Sequence, residues 1–184
     1  MLEIAARLTP SAPLTDWLRP VPPATRLMFY GDAQARALAA PAWQAPFSET
    51  ALRAAAHGAR ATLWLGPDEY LLLGTGEASA ELAAQDLERI LGEVPHAIVD
   101  ISHRQCAIEV RGVNAEGILN GGCPLDLGLD AFPVDMCTRT VFAKADIVLW
   151  RTAADAFHVE IWRSFSDYVT GLLSVIARDY YPTR

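Results

Sequence analysis

ARATLWLGPDEYLLLGTGEASAELAAQDLERILGEVP, residues 59–95, is the stretch whose reading decides the fold. Its first half holds two apolar runs, Ala61 to Leu65 and Tyr70 to Leu73, parted by Gly66-Pro67-Asp68-Glu69. Proline presets φ for a turn, and Gly and Asp tolerate the rest of it, so the two runs read as a β-hairpin. In the second half Ser79 stands where an N-cap belongs, and Ala83, Leu87, Ile90, Leu91 and Val94 recur at i, i+4, i+7, i+8 and i+11 before Pro95. That spacing predicts a helix with one apolar face, stopped by the proline. A hairpin followed by a helix that must cover one face of a sheet is an α+β element.

The same order returns near the C-terminus. Asp146 to Arg151 and Phe157 to Trp162 read as strands joined at Ala153-Ala154-Asp155, and Ser164 with Asp167 supplies a capping-box variant for a closing helix. On that helix Phe165, Tyr168, Val169, Leu172, Leu173, Ile176 and Tyr180 form one stripe, expected to cover the second sheet. The repeat predicts two split βαβ-like (ferredoxin-like) lobes of class α+β, with mainly antiparallel sheets and helices on one face.

Working outward, Arg26 to Tyr30 reads as a short strand, and a helix follows at either Ala33 to Ala40 or Glu49 to His57. Ile98 to Ser102 and Cys106 to Arg111 read as a second hairpin region, with Cys106, Ile108 and Val110 alternating against Ala107, Glu109 and Arg111. A short helix is expected at Asn114 to Leu119, a loop at Pro124 to Pro133, and a strand at Thr138 to Ala143 that makes a meander with the two later ones. Residues 1–25 contain Pro10, Pro13, Pro20, Pro22 and Pro23, which removes five backbone donors and predicts an extended arm. The expected division is therefore an arm at 1–25, a first lobe at 26–103 and a second at 104–184.

The 184 residues are 52% hydrophobic and 20% charged, a balance that excludes collagen-like and wholly disordered classes. Fifteen Lys and Arg against 22 Asp and Glu leave a formal charge of −7, which argues against nucleic acid as a partner. The apolar runs fall far short of the ~20 residues that cross a bilayer. MLEIAARLTP carries Glu3 and Arg7 where an export signal needs an unbroken apolar core, so a cytoplasmic location is expected. Cys106, Cys123 and Cys137 are odd in number and widely spaced, as free thiols in a reducing compartment are.

Candidate chemistry is sparse. Gly74-Thr75-Gly76-Glu77-Ala78-Ser79 outlines a dinucleotide loop with Asp100 on a later strand, but Ser79 stands at the third glycine position and the preceding strand belongs to a hairpin. Asp100, Ser102 and His103 contain the residue types of a nucleophilic triad, yet neighbouring strand residues point to opposite faces and separate Ser102 from His103. His57, His96, His103 and His158 lack metal-ligand spacing, and Cys123 sits past a helix end where the dipole disfavours a thiolate. No catalytic, cofactor or metal residue is assigned. Trp150-Arg151 and Trp162-Arg163 pair the two residue types that dominate protein interfaces, and these four are the candidate partner-facing residues.

Several separated motifs, in order, carry a family resemblance. Trp64-Leu65-Gly66-Pro67-Asp68-Glu69, Asp100-Ile101-Ser102-His103-Arg104, Gly122-Cys123-Pro124-Leu125-Asp126-Leu127, Arg139-Thr140 with Lys144-Ala145, Trp150-Arg151 and Trp162-Arg163-Ser164-Phe165 resemble the gamma subunit of heterotetrameric sarcosine oxidases. That family in turn resembles the folate-binding part of glycine-cleavage aminomethyltransferases. The resemblance implies a subunit that supports an assembly with alpha, beta and delta subunits. Such an assembly oxidatively demethylates sarcosine to glycine, with formation of hydrogen peroxide and methylene-tetrahydrofolate. Flavins, NAD, tetrahydrofolate and zinc are then expected in the partner subunits, and none in this chain. The alternative is a stand-alone folate-binding or aminomethyltransferase-like protein.

Overall fold

The computed structural model describes residues 15–76 and 79–181. Pro10 and Pro13 of the arm, and Glu77 and Ala78 of the glycine turn, lie outside them. The chain divides into two units, one from Pro23 to His103 and one from residues up to Pro22 together with Arg104 onward.

In the first of these, β2 (Thr25–Gly31) leads through α1 (Ala33–Trp43) to β3 (Ala54–His57), β4 (Arg60–Gly66), β5 (Glu69–Gly74), α2 (Ala80–Leu91) and β6 (His96–Asp100). The strand order is β3-β4-β5-β2-β6, every neighbour antiparallel. Of the two helices weighed after the first strand, the earlier one forms, since Asp32 caps it by accepting from the amide of Ala35 at 3.0 Å. The later segment ends in the edge strand β3 instead. The helix α2 closes at Gly92, whose φ of +54° is one an L-residue would resist, three residues before the proline expected to stop it. Leu27, Phe29, Tyr70 and Leu72 from the sheet bury against Trp43 of α1 and Leu87 and Leu91 of α2.

The other unit contains β7 (Gln105–Arg111), α3 (Ala115–Asn120), β8 (Cys137–Phe142), β9 (Ala145–Ala153), β10 (Ala156–Trp162) and α4 (Ser166–Ile176). Its order is β1-β7-β10-β9-β8, where β1 is Leu18–Pro20. Element for element this repeats the first sheet, with one substitution: the position held there by β6, beside the first strand, is taken by the N-terminal segment. An open edge of β7 would leave a row of unpaired amides and carbonyls. Leu18, Arg19 and Pro20 pair antiparallel with Val110, Glu109 and Ile108, and the amides of Arg111 and Val21 donate to Trp17 and Ala107 at 2.8 and 2.9 Å. Pro20 is tolerated because an edge strand has one side free of the ladder. The arm thus ends in a strand.

A correction follows for Ile98 to Ser102 and Cys106 to Arg111. They do not form a hairpin: β6 pairs with β2 and β7 with β10, in separate sheets. The closing helix is also narrower in its buried face than its sequence stripe. Val169, Leu173 and Ala177 reach the core with Ile108, Phe157 and Ile161, whereas Leu172 and Ile176 are half-buried and Phe165 and Tyr168 are exposed.

Candidate functional site

The strand that leads into the glycine turn is not placed as the first strand of a dinucleotide-binding unit. This strand, β5, is antiparallel to both neighbours, and β6, which follows α2, lies on the far side of β2, so β5 and β6 do not form the adjacent parallel pair at which a dinucleotide-binding unit holds pyrophosphate. A Cβ on Gly74 would lie 3.3 Å from Arg60 and Trp43, so this glycine makes room for side chains of its own unit, with Arg60 stacked 4.2 Å over the Trp43 ring.

Asp100, Ser102 and His103 separate. A carboxylate oxygen of Asp100 accepts from the Ser102 amide at 2.8 Å, and the Ser102 hydroxyl accepts from the Arg26 amide at 2.9 Å. The Asp-x-Ser motif is therefore a tie that fastens the end of β6 to β2, an Asx-type turn with a cross-strand staple. His103 is exposed and makes no hydrogen bond among the described residues.

Gly122-Cys123-Pro124 is a packing joint. A Cβ on Gly122 would fall 2.5 Å from the Phe142 ring, and the Gly122 carbonyl accepts from Ala143 at 2.8 Å, which locks the end of α3 to the β8–β9 turn. Cys123 is buried with its sulfur 3.9 Å from the Thr140 hydroxyl, and all three cysteines are buried thiols outside any disulfide. No group of three His, Cys, Asp or Glu side chains gathers at metal-binding distance among the described residues.

The two Trp-Arg pairs diverge. On β9 alternation sends Ile147, Leu149 and Arg151 to the core face and Trp150 to the other. Arg151 is fully buried: it donates to the Phe132 carbonyl at 2.9 Å and to Glu116 at 3.2 Å, and its guanidinium stands 4.5 Å from the Phe157 ring centroid. A register shift at Ala156/Phe157 sets Phe157 opposite it. Adjacent residues of one strand cannot both face a partner, and of this pair Arg151 holds α3 and the 124–133 loop to the sheet. Trp150 is half-buried, with its ring 5.9 Å from His158, and His158 holds a buried Glu160 at 2.8 Å. That imidazole-carboxylate pair escaped the sequence reading, although its i, i+2 spacing on a strand was a usable signal.

Trp162 and Arg163 behave differently because the strand ends there. A 3₁₀ turn at Arg163–Phe165 replaces strand alternation, and both side chains emerge at the surface. Arg104 stacks 5.0 Å over the Trp162 ring, and Phe165 meets Tyr168 edge-on at 6.5 Å. Only this pair keeps the exposure a docking role needs.

Comparison with known proteins gives a consistent picture. A family model described as sarcosine oxidase, gamma subunit family, matches residues 30–177. Sarcosine oxidase subunit gamma of Corynebacterium sp. (strain P-1) is 36% identical over 108 residues, which cover 59% of this chain and 52% of that protein. The Arthrobacter sp. subunit gamma is 36% identical over 102 residues, covering 54% and 47%. The chain thus spans about half the length of the curated relatives it matches. Among solved structures, a chain of the heterotetrameric sarcosine oxidase from Corynebacterium sp. U-96 superposes with a TM-score of 0.83 at 24% identity, covering 99% of this chain and 95% of that one. Aminomethyltransferase T of the Bartonella henselae glycine cleavage system gives 0.62 at 12% identity, covering 94% and 48%. At these identities the structural likeness is one of fold.

Proposed function

This chain belongs to the sarcosine oxidase gamma subunit family, and from that premise we propose that it is a non-catalytic subunit supporting assembly of a heterotetrameric sarcosine oxidase. Its partners are the alpha, beta and delta subunits. The complex oxidatively demethylates sarcosine to glycine and yields hydrogen peroxide and methylene-tetrahydrofolate, with flavins, NAD, tetrahydrofolate and zinc held by the partner chains. One observation supports the non-catalytic role above the others: four polar residues of the family motifs, Asp100, Ser102, Cys123 and Arg151, are engaged inside this chain. Asp100 and Ser102 tie β6 to β2, Cys123 packs at the α3 joint, and Arg151 holds a buried carbonyl and Glu116.

Co-expression with the three other subunits, followed by size exclusion, should yield one complex that contains this chain, and its persistent absence would sink the reading. In that complex Ser102→Ala, His103→Ala and Cys123→Ala should each leave sarcosine turnover within a few-fold, since removing a general acid or base costs about 10²-fold or more. The fold likeness to aminomethyltransferase T favours one competing reading, a stand-alone folate-binding protein. Titration of the isolated chain with tetrahydrofolate separates the two, because micromolar binding would favour the latter.

A further inference from the structure

The closing helix carries more apolar surface than its own unit covers. At ~100° per residue the positions of Phe165, Tyr168, Leu172 and Val175 lie on one arc, beside the arc of Val169, Leu173 and Ala177 that enters the core. Phe165 is 38%, Tyr168 40% and Val175 53% exposed, and Trp162, at the start of the turn that leads into the helix, is 42% exposed. Large aromatics at this exposure, close together in one turn and helix face, lose apolar contact with water only if something else covers them.

Charge says what kind of cover fits. Arg104 lies over Trp162, Arg163 follows it, and both arginines are exposed. Neither has a carboxylate within ion-pair distance among the described residues, while Arg36, Arg89, Arg111 and Arg151 each do. Asp167 is the exposed acid nearest in sequence, so the patch is net basic in a chain whose formal charge is −7. Two unpaired guanidiniums beside exposed rings fit a segment that brings carboxylates for the arginines and an apolar side chain for the rings.

We propose that the Trp162–Val175 face, with Arg104 and Arg163 at its rim, is the surface on which this chain docks an acidic segment of another subunit of its complex. The inference rests on the gamma-subunit reading and adds to it a location and a chemistry. Charge complementarity favours a different chain over a second copy of this one, because two copies of the patch would set arginines against arginines at any contact centred on Trp162.

The experiment uses the full chain co-expressed with the other subunits and measures how much of it is recovered in the complex. Arg104→Glu with Arg163→Glu, and separately Trp162→Ser with Tyr168→Ser, should each lower recovery more than about tenfold, as loss of central interface anchors does. Leu82→Glu, at a position 62% exposed on α2, should leave recovery unchanged. Thermal melting of each isolated variant checks folding. Should a double variant melt early, Arg163→Gln alone decides, since its side chain makes no hydrogen bond that folding could need. If the wild type assembles and folded patch variants assemble equally well, the surface is elsewhere and the subunit reading stands. If the wild type fails to assemble, the subunit reading falls and takes this inference with it. An isolated chain that dimerises, and loses the dimer on Trp162→Ser with Tyr168→Ser, would overturn the proposal in favour of a second copy.

Discussion

Replacing Leu18 by alanine tests whether the N-terminal strand belongs to the core or merely lies on it. Leu18 has no exposed surface and packs in the cluster that includes Ile108, Val110 and Phe157. Truncating a fully buried leucine costs about 2–5 kcal/mol, the transfer of the lost methyl groups plus the cavity left behind. An edge strand three residues long can relax partly into such a cavity, which places the expected loss near 3 kcal/mol. For a chain of this length each kcal/mol lowers the melting temperature by about 2–4 °C, so a fall of about 6–12 °C is expected. Thermal and urea unfolding, followed by circular dichroism, measure it, with Arg19→Ala as the neighbouring control. Arg19 is exposed and should change stability by less than about 0.5 kcal/mol. A loss under about 1 kcal/mol for Leu18→Ala would refute the argument, because the strand would then contribute hydrogen bonds to β7 without contributing to the core.

The same measurement separates two neighbours on α4: Leu173→Ala should cost about 2–5 kcal/mol, and the half-buried Leu172→Ala clearly less. Glu116→Ala should cost roughly 3 kcal/mol, the low end for stranding a buried charge, because Glu116 itself is half exposed while the Arg151 side chain it pairs with is not. Equal stability of Glu116→Ala and wild type would show that the pair is dispensable. His96 carries a pH prediction: its Nδ1 lies 2.6 Å from the Val94 carbonyl and its Nε2 2.8 Å from Glu88, so both nitrogens donate only in the imidazolium form. The Val94 hydrogen bond does most to raise its pKa above 6.5; burial opposes the rise, and the hydrogen bond and charge of Glu88 add to it. A raised pKa adds stability that is complete below the unfolded-state value near 6.5 and is lost as pH climbs through the folded-state value. Wild type should therefore lose stability relative to His96→Gln on going from about pH 6 upward, and a parallel pH course for the two proteins would contradict the assignment.

Much of the fold was legible because it is written in neighbours along the chain. Proline and aspartate in the Gly66–Glu69 turn, the 3.6-residue spacing of Leu87 and Leu91, and the alternation of Cys106, Ile108 and Val110 are local signals, and each maps onto an element of the expected type. The repeated hairpin-then-helix order likewise specified the α+β class, and the separate motif series carried the family resemblance. What local signals lack is the identity of a distant neighbour. Leu18 to Pro20 is too short and too proline-flanked to read as a strand, and becomes one only because β7 offers an open edge some 90 residues later in the chain. Ile98 to Ser102 and Cys106 to Arg111 look like a hairpin until their partners, β2 and β10, draw them into separate sheets. Trp150-Arg151 and Trp162-Arg163 are the same dipeptide in sequence, yet the first is split by strand pleating with Arg151 in the core, while the second is released at a strand end. On α4 the sequence determined an apolar arc and its direction of periodicity; which part of that arc is buried depended on the width of the sheet beneath it, because burial is a property of what lies across the interface and only the folded chain brings that surface into place.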